Sequence, residues 1–320
     1  MDIGRFKIYV AGHTGMVGSS IVRELSKSGH IVLTRTRREL DLLDKAAVMQ
    51  FLSEEKPDQI YMAAARVGGI YANSTFPASF IYENLAIQTN LIDSAYRTGV
   101  KKLLFLGSSC IYPRMAPQPM SENQLLTGPL ELTNEAYAIA KIAGIKMCQA
   151  YNTQYKNEAI DYRSVMPTNL FGPGDHYDLD NSHVIPGLMR KIYEAKNRGD
   201  SEVTVWGTGK PFREFMYVDD LARACIFVMN TNVDRLKKFS DLHRVNIGSG
   251  FEISISDLAT LISDVVGYKG SIRFDPKKPD GTPRKLLDSS LLHNLGWRPT
   301  VDLKEGLKLT YENFLASMTN

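Results

Sequence analysis

The stretch "VAGHTGMVGSSI", residues 10–21, joins an apolar run typical of a buried strand to the start of an amphipathic helix. Its three glycines, Gly12, Gly15 and Gly18, follow the spacing GxxGxxG. The first two allow a tight turn and a close approach of backbone to a diphosphate, and the third allows close packing of helix on strand. The helix N-terminus adds N–H groups and the positive end of its dipole. The loop therefore predicts a dinucleotide site, with glycines that serve only a turn as the alternative.

Strand and helix patterns alternate on the C-terminal side of this loop through the first half of the chain. Strands are predicted at 6–11, 31–34, 59–63, 103–106 and 162–166, and helices at 17–28, 45–54 (with Asp44 as N-cap), 78–98 and 135–155. Helices of this length between strands are typical of βαβ units. The predicted fold class is α/β: a Rossmann-type doubly wound parallel sheet with functional loops at the carboxyl ends of its strands.

From residue 171 onward the sequence has shorter elements and more Gly and Pro, as in "FGPGD" and "KKPDGTPRK". This change predicts a smaller, mixed α/β substrate-binding domain. A strand and helix at 214–230 are expected to return to the main sheet. The cofactor domain is therefore predicted at 1–170 plus about 214–247, and the substrate domain at about 171–213 plus 248–320.

Composition restricts the possible classes of partner. The 320 residues carry a net charge of +3 and no long basic run, so nucleic acid is not an expected partner. Three cysteines without metal-ligand spacing predict a reducing compartment, no disulfide framework and no metal site. We expect no membrane partner and a cytoplasmic location, because no apolar run approaches a membrane span and the N-terminus enters a strand pattern at once.

The end of the second strand bears on the choice between NAD and NADP. An NAD site typically has an acid there, which binds the ribose 2′-hydroxyl. The stretch "TRTRREL" instead offers Arg35, Arg37 and Arg38, with Glu39 as its acid. A guanidinium matches a 2′-phosphate, so the predicted cofactor is NADP(H), with arginines on a solvated turn as the alternative.

A serine, a tyrosine and a lysine form a candidate hydride-transfer set. In "NEAYAIAKIAG", Tyr137 and Lys141 stand four residues apart and share one face of a helix. An adjacent ammonium is expected to lower the pKa of the tyrosine. Ser108 follows a predicted strand, where its hydroxyl can share a substrate oxygen with Tyr137. The YxxxK pattern is weak alone and strong with the glycine loop and this serine.

These stretches resemble the extended short-chain dehydrogenase/reductases and, among them, the GDP-L-fucose synthase family. The similarity covers nearly the whole chain, in "AGHTGMVGS", "AAARVGGI", "FLGSSCIYP", "NEAYAIAKIAGIK", "YRSVMPTNLFGP", "NSHVIP", "VWGTG", "REF" and "KPDGTPRK". The resemblance implies 3,5-epimerisation of GDP-4-keto-6-deoxy-mannose followed by NADPH-dependent reduction at C4. It assigns hydride transfer to Ser108, Tyr137 and Lys141, and epimerisation to Cys110 and His183.

The resemblance also implies two sets of binding residues. The cofactor set is Gly12, Thr14, Gly15, Met16, Val17, Gly18, Arg37, Arg38, Leu106, Gly107, Lys141, Pro167, Asn169, Leu170 and His183. The substrate set is Ser108, Ser109, Cys110, Asn169, Lys191, Trp206, Arg213 and Asp280. His176, in the loop "GPGDHYDLD", is a rival to His183 as the acid. The family further implies a homodimer through helices 78–98 and 135–155, although their apolar residues can equally face the sheet.

Several alternatives stay open. Sister dehydratases carry an Asp-Glu pair where this chain has Ser109 and Cys110, which disfavours β-elimination. Cys110 as a buried packing residue and His183 as an ordinary loop histidine are the structural alternatives. Another NADP-linked nucleotide-sugar epimerase or reductase is the second candidate function. An NADP-sensing regulator or scaffold is a third, disfavoured because such proteins usually lose the tyrosine or the lysine.

Overall fold

The computed structural model describes residues 5–178, 182–238, 243–278 and 280–318. Asn181 and Pro279, which belong to "NSHVIP" and "KPDGTPRK", lie outside the described residues. The strands are β1 (Lys7–Ala11), β2 (Ile31–Leu33), β3 (Gln59–Met62), β4 (Lys102–Leu106), β5 (Asp161–Pro167), β6 (Asn169–Phe171), β7 (Glu202–Trp206), β8 (Phe212–Tyr217), β9 (Arg244–Ile247), β10 (Glu252–Ser254), β11 (Ser271–Asp275) and β12 (Arg284–Lys285). The helices are α1 (Met16–Ser26), α2 (Lys45–Glu55), α3 (Ile70–Thr75), α4 (Pro77–Arg97), α5 (Glu135–Gln154), α6 (Val184–Arg198), α7 (Val218–Asn230), α8 (Val233–Lys237), α9 (Ile255–Val266), α10 (Ser290–Asn294) and α11 (Leu303–Met318).

The main sheet is parallel throughout and has the strand order β2-β1-β3-β4-β5-β9. Successive residues of a strand point to opposite faces. Ile8 and Val10 accordingly join a core with α1 and α7, whereas Tyr9 and Ala11 join a core with α2, α4 and α5. The predicted doubly wound α/β fold is confirmed. The predicted N-cap is also confirmed, because the Asp44 carboxylate accepts hydrogen bonds from the first backbone N–H groups of α2.

The chain winds in opposite directions from β1, since β2 lies on one side of it and β3 on the other. Ligands of open α/β sheets bind at the carboxyl ends of strands beside such a switch point. The glycine loop follows β1 at that position. Topology thus places the loop where the crevice opens.

A second unit packs over this edge of the sheet. Strand β8 pairs with β6, β10 and β12, and β7 pairs with β11. Helices α6, α9 and α11 share a third apolar core with these strands. The expectation that the strand of the 214–230 segment joins the main sheet is wrong: β8 belongs to the small sheet. The helix α7 does pack on the main sheet, which gains its sixth strand from β9.

Within the described ranges, no helix combines the length and apolar character that crossing a bilayer requires.

Candidate active site

A cavity of about 1210 Å³ opens at the carboxyl ends of the parallel strands. The glycine loop, the end of β4, the start of α5, the residues around the N-terminus of α6 and strand β12 all contribute to its walls. Both units of the fold therefore line one cavity. Its volume exceeds the roughly 300–1000 Å³ common for a single ligand, so a cofactor and a substrate can lie in it together.

The glycine loop forms the floor of this cavity. Gly12 has a φ of +84°, and a Cβ there would lie 2.6 Å from the backbone nitrogen of Ala64. The Gly15 N–H closes the turn on the Gly12 carbonyl at 3.1 Å, and Gly18 packs directly against the same carbonyl. Helix α1 starts after Gly15 without a side-chain cap, so its N–H groups face the cavity. This cradle fits a diphosphate, as the glycine spacing predicts.

The arginines after β2 have separate positions. Arg37 lines the cavity and its side chain is 71% exposed. Arg35 also lines it but forms an ion pair with Glu55 at 2.7 Å. Arg38 is exposed and lies outside the cavity lining, so the structure does not bring this predicted cofactor residue to the site.

The acid of this segment, Glu39, closes a local turn. Its carboxylate accepts hydrogen bonds from the Thr36 N–H at 2.7 Å and from the Thr36 hydroxyl at 2.8 Å, and these bonds lower its pKa. Asp41, which the sequence reasoning did not single out, lines the cavity 3.9 Å from Arg37. The cationic group on this wall fits a 2′-phosphate.

The candidate hydride-transfer set converges as predicted. Ser108 follows β4, while Tyr137 and Lys141 lie on one face of α5, and all three line the cavity. Lys141 is buried, and its Nζ donates a hydrogen bond of 2.6 Å to the Leu106 carbonyl oxygen. Burial lowers the pKa of Lys141 to about 8.

The expected lowering of the tyrosine pKa does not occur. Burial raises the pKa of Tyr137, the neighbouring Cys110 raises it further, and only the Ser108 hydroxyl opposes them. The Lys141 Nζ lies 5.8 Å from the centre of the Tyr137 ring and points to a backbone carbonyl instead. Tyr137 is therefore protonated at neutral pH, which suits a proton donor.

Cys110 occupies a 3-10 turn, Ser109–Ile111, directly beyond Ser108. Its N–H donates to the Ser108 Oγ at 3.2 Å, and its Sγ lies 3.4 Å from the Lys285 Nζ. Burial raises the pKa of this thiol, but the Lys285 ammonium and the Ser108 hydroxyl outweigh it and leave the pKa below its usual value. Cys148 and Cys225 are buried, and burial raises the pKa of both. The packing interpretation therefore fits Cys148 and Cys225, whereas Cys110 lines the cavity beside a lysine.

Two histidines competed for the role of acid. His183 stands at the N-cap of α6 and faces the cavity, where desolvation lowers its pKa and Lys285 lowers it further. His176 is exposed and outside the cavity lining; its N–H donates to Asp175. Only His183 thus lies with Cys110 in the cavity.

The residues expected to hold the substrate divide in the same way. Trp206, Arg213, Asp280 and Asn169 line the cavity, whereas Lys191 lies further along α6, outside the lining. Asp280 accepts two hydrogen bonds from Thr208, which lower its pKa. The remaining expected residues also line the cavity: Thr14, Met16, Val17, Leu106, Gly107, Ser109, Pro167 and Leu170.

The comparisons with known proteins agree with this geometry. The model of the NAD dependent epimerase/dehydratase family matches residues 8–248. The chain belongs to this family.

Within the epimerase/dehydratase family, the chain is 57% identical over 315 residues to GDP-L-fucose synthase 1 of Arabidopsis thaliana, covering 98% of this chain and 94% of the relative. It is 54% identical over 312 residues to GDP-L-fucose synthase of Escherichia coli strain K12, covering 97% and 96%. The solved structure of a GDP-mannoheptose C4 reductase from Campylobacter jejuni with NADP bound is similar with a TM-score of 0.87 at 37% identity, covering 97% of this chain and 98% of that one.

Besides Asp41, the sequence reasoning gave no role to Arg66, Glu83 or Lys285, which also line the cavity. Arg66 and Glu83 form an ion pair on the cavity wall, and Lys285 reaches in from β12. Arg66 follows β3 at the edge of the sheet where functional loops gather, so its position after a predicted strand could have indicated a site residue. Lys285 lies within "KPDGTPRK", but no local pattern connects it with Cys110.

Proposed function

We propose that this protein makes GDP-L-fucose from GDP-4-keto-6-deoxy-D-mannose in nucleotide-sugar biosynthesis, by 3,5-epimerisation and then NADPH-dependent reduction at C4. One observation carries the proposal: the Ser108–Tyr137–Lys141 set and the Cys110–His183 pair line the same cavity. A reductase needs only the Ser108–Tyr137–Lys141 set. The lowered pKa of the Cys110 thiol suits that residue to act as a base, which is what epimerisation requires of the Cys110–His183 pair. The identity to GDP-L-fucose synthases supports the same substrate.

The glycine cradle, Arg37 and Lys141 would hold NADP(H), which supplies the hydride for C4 when bound. The backbone N–H groups at the start of α1 face a diphosphate, and Arg37 faces a 2′-phosphate. Lys141 is fixed by its hydrogen bond to Leu106 and can donate to a ribose hydroxyl. Arg38 is dropped from the predicted cofactor set, because it lies outside the lining.

Epimerisation follows from the acidity of protons next to a ketone. The Cys110 thiolate takes a proton from C3 or C5; the C–H electron pair moves into an enolate whose charge rests on the C4 oxygen. Ser108 and Tyr137 donate hydrogen bonds to that oxygen. Inversion requires a donor on the opposite face of the carbon, and His183 supplies the other acid–base group.

Reduction uses the same oxygen contacts. When C4 accepts hydride, negative charge develops on its oxygen, and Tyr137 donates its proton there. Because the pKa of Tyr137 is raised, its hydroxyl remains a donor throughout the neutral range. Ser108 holds the oxygen in place in both reactions, so the sugar need not leave the cavity between them.

The small sheet is proposed to form the substrate side of the cavity. Arg213 on β8 suits the diphosphate of the nucleotide, and Trp206 is 64% exposed at the rim. The division into a cofactor domain and a substrate domain is retained as a proposal, with the boundary moved so that β8 belongs to the substrate unit. Lys191 is not included in the proposed set.

Isotope exchange tests the proposal. The protein is incubated with GDP-4-keto-6-deoxy-D-mannose in D₂O, with and without NADPH, as wild type and as Cys110→Ala. Wild type should take up deuterium at C3 and C5 without cofactor and yield GDP-L-fucose with NADPH. Cys110→Ala should lose most exchange and still bind NADPH.

Two other results would identify the alternatives. NADPH oxidation without exchange would make the protein a plain reductase, which is the activity named for the similar GDP-mannoheptose C4 reductase. NADPH binding without turnover of any nucleotide sugar would indicate a sensing or scaffold protein.

We further propose a homodimer in the cytoplasm. The two long helices α4 and α5 expose Tyr82 (67%) and Ile139 (42%) on the side of the fold away from the sheet, an apolar surface that a second copy can cover. All three cysteines are free thiols, which suits a reducing compartment.

A further inference from the structure

Lys285 has an unusual set of neighbours for a lysine. Its Nζ lies 3.4 Å from the Cys110 Sγ and is half-buried in the cavity wall. Across the described parts of the chain, no carboxylate forms an ion pair with it, although Arg284 beside it pairs with Glu252. A thiol is a weak acceptor, whereas a thiolate is a strong one. The contact gains most of its energy when the sulfur is charged.

The backbone around Lys285 holds the side chain at that sulfur. Leu286 donates its N–H to the Gln118 Oε1 at 2.8 Å, and Leu287 donates its N–H to the Glu214 Oε2 at 3.1 Å. Strand β12 also pairs in parallel with β8. Glu214 is fully buried, so this anchor is shielded from water. A short strand fixed on both sides presents Lys285 in one position.

We infer that Lys285 holds Cys110 as the thiolate and thereby makes it a base for the epimerisation. This inference rests on the proposed function. The lysine does not touch the substrate in this role; it is a positioning residue that acts by stabilising the negative charge on Cys110. The thiolate takes the carbon-bound proton: the C–H bond breaks, an S–H bond forms, and the electron pair goes to the enolate. The ammonium then faces a neutral thiol until the S–H bond gives its proton to solvent water and the thiolate is restored.

The other ionisable groups of the cavity do not supply this charge. Burial and Cys110 raise the pKa of Tyr137, so it stays neutral. Desolvation and Lys285 itself lower the pKa of His183, which disfavours a permanent positive charge on that ring. Lys141 donates to the Leu106 carbonyl, and Arg213 donates to the Phe212 carbonyl. Lys285 is the cation that contacts the sulfur.

Alkylation of Cys110 tests the inference without substrate. Iodoacetamide reacts with thiolate, and Cys148 and Cys225 are buried, so peptide mass spectrometry across a pH series reports the charge on Cys110. Lys285→Met should slow alkylation at pH 7 by about tenfold or more, since a cation at this distance lowers a pKa by at least about 1 unit. Lys285→Arg should restore most of the rate. Lys304→Met, an exposed lysine on α11, should match wild type.

The same variants are measured for deuterium exchange into the nucleotide sugar. Lys285→Met should lose exchange at pH 7 and recover it as the pH rises, whereas a lysine that binds the diphosphate would change KM alone. Unchanged alkylation in Lys285→Met, or a KM effect alone, would overturn the inference. If Lys285→Met fails to bind NADPH because it is misfolded, the charge on the sulfur is measured in wild type itself. The ultraviolet absorbance of Cys110→Ser is subtracted from that of wild type, and the difference reports the Cys110 thiolate. No thiolate signal at pH 7 would overturn the inference. Slower alkylation in Lys285→Met together with no turnover in wild type would confirm that Lys285 holds the thiolate but would refute the proposed function and with it the role in epimerisation.

Discussion

The Lys141 ammonium donates a 2.6 Å hydrogen bond to the main-chain carbonyl of Leu106, and this bond ties helix α5 to the end of strand β4. The lysine is 4% exposed, so its side chain is held inside the fold. Burial lowers its pKa to about 8, which means that the folded protein binds this proton less tightly than the unfolded chain does.

We predict that Lys141 makes stability increase with pH. Between pH 8 and the ordinary value of 10.5, the unfolded chain carries a proton that the folded chain has released, so the free energy of unfolding rises through this window by up to about 3 kcal/mol. Lys141→Met should remove that rise and increase stability at pH 7 by about 1 kcal/mol, net of the lost hydrogen bond. Urea unfolding of both proteins at pH 7 and pH 10 measures it. Equal pH slopes would contradict the prediction.

Lys141→Met should also separate the two half-reactions. Exchange of deuterium at C3 and C5 needs no cofactor and should persist, whereas formation of GDP-L-fucose should be lost.

The two neighbouring arginines should differ in their effect on cofactor choice. Arg37→Ala is expected to raise the KM for NADPH about tenfold and to leave that for NADH unchanged, because a charge-assisted bond to the 2′-phosphate is lost. Arg38→Ala is the matched control and should match wild type, since Arg38 lies outside the cavity lining. Steady-state kinetics with both cofactors decide it. A larger effect from Arg38 would mean that the two side chains exchange places in the complex.

Substitutions at two glycines should distinguish the cost of backbone strain from the cost of a steric clash. Gly12 and Gly29 both have positive φ, +84° and +72°, but only Gly12 has atoms within reach of an added Cβ. Gly29→Ala should cost about 1 kcal/mol of stability. Gly12→Ala should cost about 2–4 kcal/mol and abolish NADPH binding, since its Cβ would meet the backbone of Ala64. Urea unfolding and NADPH fluorescence titration measure both effects. Equal costs would show that the loop can move away.

The two candidate histidines should behave differently. His183→Asn should slow deuterium exchange by about 100-fold or more, the usual size of a lost acid–base group. His176→Asn should keep the wild-type rate, because that side chain is exposed and outside the cavity. The reverse result would assign the acid to the loop.

The exposed face of α4 and α5 gives a prediction about assembly. Ile139→Glu places a charge in the proposed interface and should shift the protein from dimer to monomer in light scattering, with NADPH binding retained. The surface control Lys304→Met should remain a dimer. If Ile139→Glu also remains a dimer, the interface lies elsewhere.

The parts of the fold that depend on local pattern were predictable from the sequence. A few neighbouring residues are enough to determine such features, and three of them were confirmed: the turn of the glycine loop, the Asp44 cap, and the shared helix face of Tyr137 and Lys141. Strand β8 was placed in the wrong sheet, because an apolar strand followed by a helix has the same pattern in either sheet. Only pairing with β6, β10 and β12 distinguishes the two.

Electrostatics was the least predictable property. The spacing of Tyr137 and Lys141 suggested a lowered tyrosine pKa, but spacing does not reveal burial, which here raises it. Arg37 and Arg38 are the same residue type side by side, and the turn alone decides which one faces the cavity. The partner of Cys110 could not be found at all from the residues around it.

The contact between Cys110 and Lys285 spans 175 positions of the chain. A ribosome releases the cysteine long before the lysine, and Glu214, which helps to hold strand β12, also comes later than the cysteine. Until Lys285 follows it, the thiol therefore lacks the cation that we infer activates it and remains no more reactive than an ordinary cysteine. The order of residues along the chain thus delays the appearance of a reactive sulfur until at least 175 further residues have been made.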